Sequence, residues 1–438
     1  MAADSLSLAP TAETPNQPFY PPKQRPLMTR LVQSISYPLA RILYKMRISV
    51  SEESVGKVRA IDNARIVFVC NHPTMEDGIT LFVLSARLGQ LFHYIVAYEA
   101  FAGLMGWFIQ RLGCYSIRRG LGDRPSISQT LSLLKAPRCR LVIFPEGGCS
   151  YQNDTIMPFR PGAIQLPMSV LSQLAKKAES PEKIPDVYVV PISLKYRYMQ
   201  PMERVIENTI SHLEDALNMP TQAGSQSMGS QSTGSQSNSN YQRLRKIAHQ
   251  VILRIETEAN LPHEGTLDWN QRIDRLRQIF VRKCESALNI QPNVNDPLRE
   301  RVYRVQALLE DLETTGDLTV QVNATQEERI GEADTISPQD VYWNTVRLLN
   351  FDAIYDGYVA EAPTPERFLD TLMRLEREVF HLEQARPKAP RKACFYIGDP
   401  INLKDYLADY KTDRSQTVDR LAGHLHQKMQ ANLDKMAE

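Results

Sequence analysis

Ala64-Arg65-Ile66-Val67-Phe68-Val69-Cys70-Asn71-His72-Pro73-Thr74-Met75-Glu76-Asp77 is the stretch on which the reading of the chain turns. Ile66 to Cys70 is an apolar run of strand length, closed by the polar turn Asn71-His72-Pro73-Thr74. A helical pattern follows in Ile79, Leu81, Phe82, Leu84 and Leu88. His72 therefore falls where a strand has stopped and a helix has not begun, the position at which α/β folds place their chemistry. Asp77 lies in or beside the first turn of that helix. On one continuous helix this spacing would set the two side chains well apart around the axis, but from a loop the imidazole folds back over the carboxylate. A carboxylate against one ring nitrogen fixes the tautomer and leaves the other nitrogen free as a base. The same pair also fits a turn histidine followed by a carboxylate placed for the helix dipole.

The 438 residues are enough for a large core and more than one domain. Lys plus Arg number 51 against 50 Asp plus Glu, a formal net charge of +1, which argues against bulk nucleic-acid binding. Cys70, Cys114, Cys139, Cys149, Cys284 and Cys394 form no CxxC pair and have no histidine cluster beside them. Neither a metal site nor a disulfide framework is expected, and a reduced, cytosolic compartment fits. The first residues carry Asp4, Glu13 and several prolines and lack an apolar core segment, so no secretory leader is expected. No apolar run reaches the roughly 18 residues a spanning helix needs.

Residues 1–26 are rich in Pro, Thr and Ala and read as a flexible tail. From Leu27 to about Met46 the pattern is helical, with Arg30, Arg41 and Lys45 among the apolar positions and Pro38 at its middle. A basic amphipathic helix of this kind lies in a membrane interface or packs on its own domain. Strands are expected at His93–Ala97, Leu112–Arg119, Arg140–Phe144 and Val187–Ile192, alternating with helices at Phe101–Leu112, Ile127–Leu134 and after Ala163. That alternation predicts an α/β fold, a mixed sheet flanked by helices. Residues 201–391 carry almost no strand signal. They read as a large all-helical insertion before the last strand, with a flexible Gly/Ser/Gln loop over 221–240. Ser337-Pro338-Gln339-Asp340 and Thr364-Pro365-Glu366 mark two helix starts. At Ala393–Ile401 a strand returns, placing 27–200 and 392–438 in one α/β domain, with a terminal helix from Asp405 to Met436. A local hairpin within the helical region is the alternative.

Four strand ends carry polar or turn residues: Asn71-His72 with Asp77, Gly113 through Arg119, Phe144-Pro145-Glu146-Gly147, and Val190-Pro191-Ile192. Phe159-Arg160-Pro161-Gly162 lies between the last two. In this order the set resembles the glycerolipid acyltransferase family, which includes the lysophosphatidate and glycerol-3-phosphate acyltransferases and whose first motif is His-x4-Asp. The resemblance covers roughly residues 60–195, and Tyr396 through Ile401 is similar to the closing strand and turn of that domain. It implies transfer of a fatty acyl group from a thioester to the hydroxyl of a glycerolipid acceptor, of lysophosphatidate type. His72 would be the general base and Asp77 its orienting partner. Substrate would meet Asn71, Arg119, Glu146, Gly147, Arg160 and Gly162, with Arg119 on the acceptor's phosphate. The family usually continues Thr-Arg-Ser after Phe-Pro-Glu-Gly. Here the chain reads Gly148-Cys149-Ser150, and Arg160 stands where a lysine is common.

Moving an acyl group to an alcohol requires taking the alcohol's proton as it attacks, and a neutral imidazole, with unperturbed pKa about 6.5, suits that. The attacking hydroxyl belongs to the substrate, so no acyl-enzyme is expected. No cofactor or metal is implied beyond the acyl-CoA or acyl carrier protein that brings the acyl group. The expected partners are that donor, a lipid acceptor and a membrane surface, with the protein peripheral and cytoplasmic and no nucleic acid involved. Other acceptors, including glycerol-3-phosphate and other lipid alcohols, fit the same motifs. Two rival readings remain: a thiol hydrolase with Cys149 as nucleophile, and a membrane-surface scaffold with a degenerate site.

Overall fold

A computed structural model describes residues 18–220, 233–262, 266–315 and 336–436. The strands are β1 (Met46–Val50), β2 (Arg65–Cys70), β3 (His93–Ala97), β4 (Cys114–Ile117), β5 (Arg140–Ile143), β6 (Val187–Tyr198), β7 (Arg391–Ile397) and β8 (Ile401–Asn402). They form one mixed sheet in the order β1-β7-β6-β2-β5-β3-β4, with β8 paired to β6. From β6 through β4 every neighbour is parallel, whereas β7 and β8 run antiparallel to β6.

Alternation along β2 explains the two covered faces. Ile66, Phe68 and Cys70 enter a core beneath α2 (Glu52–Arg59) and α3 (Asp77–Leu88). Val67 and Val69 enter a second core beneath α5 (Arg124–Lys135), α6 (Gly162–Lys177), α14 (Leu407–Thr412) and α15 (Arg414–Lys435). A strand buried on both faces reads as an unbroken apolar run, which is why the Ile66–Cys70 stretch is so plain in the sequence.

Between β6 and β7 the described residues contain no strand. They hold α7 (Glu203–Ala216), α8 (Thr233–Glu258), α9 (Trp269–Ala287), α10 (Leu298–Thr315), α11 (Pro338–Phe351), α12 (Tyr358–Glu361) and α13 (Pro365–Val379). These helices share a core of their own, among them Ile210, Val251, Leu276, Val302, Leu348 and Leu372. The two starts read from sequence are capped as expected: Ser337 accepts the Asp340 N–H and Thr364 the Arg367 N–H.

Several expected boundaries move. Composition predicts a flexible tail through residue 26, yet within it Tyr20 pairs with Ser116 through both its N–H and its carbonyl, and Lys23 bonds Gln110. Residues 1–17 lie outside the described residues, as do 221–232 of the expected loop. The remainder of that loop is helical, because α8 starts at Thr233. The first helix, α1 (Pro26–Leu43), stops before Met46, which opens β1. The expected strand over 393–401 is two strands, β7 and β8, with Gly398-Asp399-Pro400 between them, and the terminal helix breaks at Asp413.

Strand β6 does the most to position the functional site. It outruns β2, whose pairing ends at Cys70 opposite Ile192. The edge left bare beyond that point is filled by side chains. Asn71 accepts the Leu194 N–H at 2.7 Å and donates to the Leu194 carbonyl at 2.9 Å. Asn153 does the same at Tyr196, at 2.6 and 2.7 Å, and Glu366 of α13 accepts the Tyr198 N–H at 3.0 Å. Buried backbone groups must be paired, and these amides serve as a surrogate strand.

Candidate functional site

His72 and Asp77 meet as expected. His72 Nδ1 lies 2.7 Å from Asp77 Oδ2. The carboxylate is completely buried and accepts three further hydrogen bonds: Thr74 N–H at 2.9 Å, Thr74 Oγ1 at 2.8 Å and Tyr196 Oη at 2.6 Å. Ionised carboxylates are acceptor-only, so Asp77 must receive the Nδ1 proton and Nε2 is left as the open nitrogen. Burial, reinforced by the nearby Asp77 charge, holds the Tyr196 hydroxyl well above its usual range, so it remains a donor. Neither Tyr196 nor Thr74 stands out in the sequence. Tyr196 reaches the pair only because β6 runs on past Ile192.

The ring is held from both sides. Phe144, at the end of β5, stacks on it with centroids 4.2 Å apart. Its backbone is fixed as well: the His72 N–H donates to Glu146 Oε1 at 3.0 Å, and the His72 carbonyl accepts the Ser150 N–H at 2.8 Å. Burial pushes the Glu146 carboxyl up to about 7 against the opposing pull of the His72 N–H and Arg299, so it titrates near neutrality. Burial alone would lower the His72 pKa. The sulfur of Cys149 and the carboxylate of Asp77 outweigh it and hold the ring well above its ordinary value.

Cys149 Sγ lies 3.4 Å from His72 Nε2 and 3.6 Å from Nδ1. A thiol aligned with the Nε2 lone pair would be much farther from Nδ1. Nearly equal distances put the sulfur beside the ring rather than on its proton-accepting axis, and this geometry disfavours Cys149 as a nucleophile activated by His72. If the sulfur helps to raise the His72 pKa, the acidic limb of the rate–pH profile lies above 6.5 in the unmutated protein. In Cys149→Ala it moves to lower pH while transfer to an alcohol persists. A kcat/KM profile across pH 5 to 9 checks this, and an unmoved limb would show that the sulfur carries no charge there.

The remaining site residues expected from sequence divide. Asn71 is not available to substrate: it is 1 % exposed and its amide oxygen and nitrogen are both committed to Leu194. Gly147 has φ +74° and lies under the Arg160 guanidinium, 2.3 Å from where a Cβ would stand; its close approach is to Arg160. Gly162 opens α6, with no atom within 4 Å of its Cβ position. Arg160 pairs with Glu300 at 2.9 Å. Arg119 donates to Glu99 at 3.1 Å and stacks on Tyr303 at 4.2 Å.

Glu300 and Tyr303 belong to α10, which sequence reasoning did not connect to the site. One face of that helix lies over the Glu146–Cys149 turn. Arg299 Nη1 donates to the Gly148 carbonyl at 2.8 Å, and the Tyr303 hydroxyl comes within 2.0 Å of where a Gly148 Cβ would stand. The turn's continuation is also pinned by the helices. Arg374 donates to the Ser150 carbonyl, Gln152 to the Ala353 carbonyl, and the Asn153 N–H to Asp370. Arg367 pairs with Asp154 at 2.9 Å. No local signal marks these residues, because each acts on a loop that is distant in sequence. A cleft opens between Pro73–Glu76 and α13, with Tyr151 and Tyr196 in its wall.

The arrangement combines a buried carboxylate, an oriented imidazole with one open nitrogen, and arginines gathered at a tight turn. It suits abstraction of a proton from a hydroxyl beside an anionic group. Residues 47–195 match a family model described as Acyltransferase. No curated protein matches the chain.

Proposed function

We propose, from the match of residues 47–195 to the acyltransferase family model, that this enzyme moves a fatty acyl group from an acyl thioester to a hydroxyl of a glycerolipid acceptor of lysophosphatidate type. His72 Nε2 takes the hydroxyl proton as the oxygen attacks the thioester carbonyl. Asp77 holds the ring and stabilises the imidazolium, which then protonates the departing thiolate. The new ester bond forms as the C–S bond breaks, so the proton lost by the alcohol is the one gained by the thiol. The single observation that carries this reading is the 2.7 Å contact between His72 Nδ1 and a carboxylate already saturated by Thr74 and Tyr196. Incubating the purified protein with acyl-CoA or acyl carrier protein thioester and a panel of phosphorylated and unphosphorylated acceptors, with products identified by mass, tests it. An acylated lysophosphatidate is the expected product; thioester hydrolysis to free acid with every acceptor present would oppose the reading.

The membrane surface is part of the proposal. Among the described residues no helix is long and apolar enough to cross a membrane. Helix α1, however, is turned inside out. Its buried face is Thr29, Gln33, Ser36 and Ala40, and Gln33 bonds Ser85 and the Gln90 carbonyl. Its outward face carries Leu27, Leu31, Ile35, Leu39 and Ile42, with Leu27 89 % exposed. Beside it, α4 (Gly103–Arg111) presents Leu104, Met105 and Trp107 outward, and its C-terminal Arg111 carbonyl accepts from Arg25 and Thr29. Residues 18–51 contain Lys23, Arg25, Arg30, Arg41, Lys45 and Arg47 and no acidic residue. Apolar side chains ringed by cations fit the interface of an anionic bilayer. Burying one leucine is worth about 1.5–3 kcal/mol, so Leu31→Ser with Ile35→Ser should weaken sedimentation with phosphatidylglycerol vesicles by more than about tenfold. Turnover of a short-chain, soluble acceptor is expected to persist, and unchanged vesicle binding would count against this face.

A further inference from the structure

Two buried guanidinium nitrogens near the Glu146–Cys149 turn have no hydrogen-bond partner in the protein: Arg299 Nη2 and Arg119 Nε. Arg299 is 5 % exposed and rigidly placed. Its Nε donates to Asp352 at 2.8 Å and its Nη1 to the Gly148 carbonyl at 2.8 Å. Two arms of the fork are thus used to fix the side chain, and the third ends in a buried donor with nothing to receive it. A charged donor left unmet in a buried position is costly, and an unsatisfied group of this kind marks a place that a ligand completes. Arg299 lies 151 residues beyond Gly148 in the chain. The helical region therefore delivers a cation to the strand ends at a turn, Glu146–Cys149, that holds no Lys or Arg of its own.

The geometry points to Arg299 as a substrate-binding residue of the acyl-transfer site, its free Nη2 and Arg119 Nε receiving oxygens of a substrate phosphoryl group. This rests on the acyl-transfer reading above. Three observations favour a phosphoryl group. Arg160 and Arg299 reach Gly147 and Gly148 directly, and Arg119 stacks on Tyr303, whose hydroxyl comes to Gly148, so cations from different elements gather round one turn, which suits an anion with acceptors on several sides. Each guanidinium is oriented by a partner on its other side, Tyr303, Glu300 and Asp352 in turn. A planar fork with a remaining donor is also the side chain best shaped to grip phosphate. The phosphoryl group belongs either to the acceptor's head group or to the coenzyme of the donor, and the chemistry of recognition is the same for both.

Substrate pairs separate the two sources. The full-length protein, Arg299→Gln and Arg299→Lys are assayed with acyl-CoA or acyl-N-acetylcysteamine as donor, and with lysophosphatidate or the matching monoacylglycerol as acceptor. Arg299→Gln is expected to raise KM by about tenfold or more, roughly 1.4 kcal/mol, for a pair that carries the recognised phosphate. The pair lacking phosphate on both members should change by less than about threefold, and Arg299→Lys should recover part of the loss. A defect that follows the acceptor's phosphate assigns the site to the lipid head group, and one that follows coenzyme A assigns it to the donor. An equal fall for all four pairs overturns the inference, because Arg299 would then only brace the turn; no change in any pair overturns it as well. An unmutated protein inactive with every pair defeats the acyl-transfer reading itself. Melting curves supply a second readout. Lysophosphatidate, or coenzyme A if the donor is recognised, should stabilise the unmutated protein but not Arg299→Gln, and equal stabilisation of both contradicts the assignment.

Discussion

His72→Ala is expected to lower ester formation by about 10²–10⁴, the contribution of a positioned general base. The fold should survive the change. The backbone contacts of residue 72, to Glu146 and Ser150, do not involve the ring. Asp77 retains three donors in Thr74 N–H, Thr74 Oγ1 and Tyr196 Oη, so no bare carboxylate is left buried. What is lost in packing is the stack on Phe144, worth about 0.5–1.5 kcal/mol. Initial rates of ester formation, with a melting curve of the same sample, check the expectation. A variant that melts almost normally yet keeps its rate would move the base to another residue.

Asp77→Asn should be nearly as damaging, for a reason that can be traced atom by atom. The carboxylate receives four donors, two on each oxygen. An asparagine offers one oxygen and one NH₂ group. If the amide nitrogen takes the Oδ2 position, it meets the Thr74 N–H and forces His72 to accept at Nδ1. The proton then sits on Nε2, and the nitrogen facing the acceptor is no longer a base. If it takes the Oδ1 position, it meets the Thr74 and Tyr196 hydroxyls, and the stabilisation of the imidazolium is still lost with the charge. A rate loss of about 10²–10⁴ is expected in either case, since the orienting carboxylate is needed for the base to act at all. Tyr196→Phe offers a graded comparison. It removes one donor and leaves the charge, so its loss should be smaller, about tenfold. Rates falling in the opposite order would show that Asp77 serves the fold alone.

How much of this was open to inspection in the chain depends on whether an element is local. The Ile66–Cys70 strand, the turn and the His72–Asp77 pair are legible because each lies within a few residues and both sheet faces demand apolar side chains. The edge strand β1 is not. Met46-Arg-Ile-Ser-Val continues the apolar tone of α1, and only its pairing with β7 makes it a strand. Strand β6 is read too short because Pro191 suggests an end. Pro191 is tolerated where the partner of β6 changes from β8, at Tyr188 and Val189, to β7, at Ile192. Everything that depends on that extension is hidden with it: Asn71 and Asn153 as surrogate pairing groups, and Tyr196 beneath Asp77. The apolar stripe of α1 is plain in sequence, but the direction it faces is not, because its polar side fits a polar groove at Ser85 and Gln90. Arg299 and Tyr303 carry no signal at all. Their meaning comes from α10 crossing the Glu146–Cys149 turn, a contact no local pattern encodes.

The central claim is direct transfer, with the substrate's own hydroxyl attacking as His72 removes its proton. Free thiol released from an acyl thioester, measured with and without a lysophosphatidate acceptor and beside the intact mass of the protein, tests it most directly. The account predicts that thiol appears only when the acceptor is present, mole for mole with the new ester, and that the protein's mass does not change. Thiol released at the same rate without acceptor, or an acyl adduct on Cys149, would contradict it.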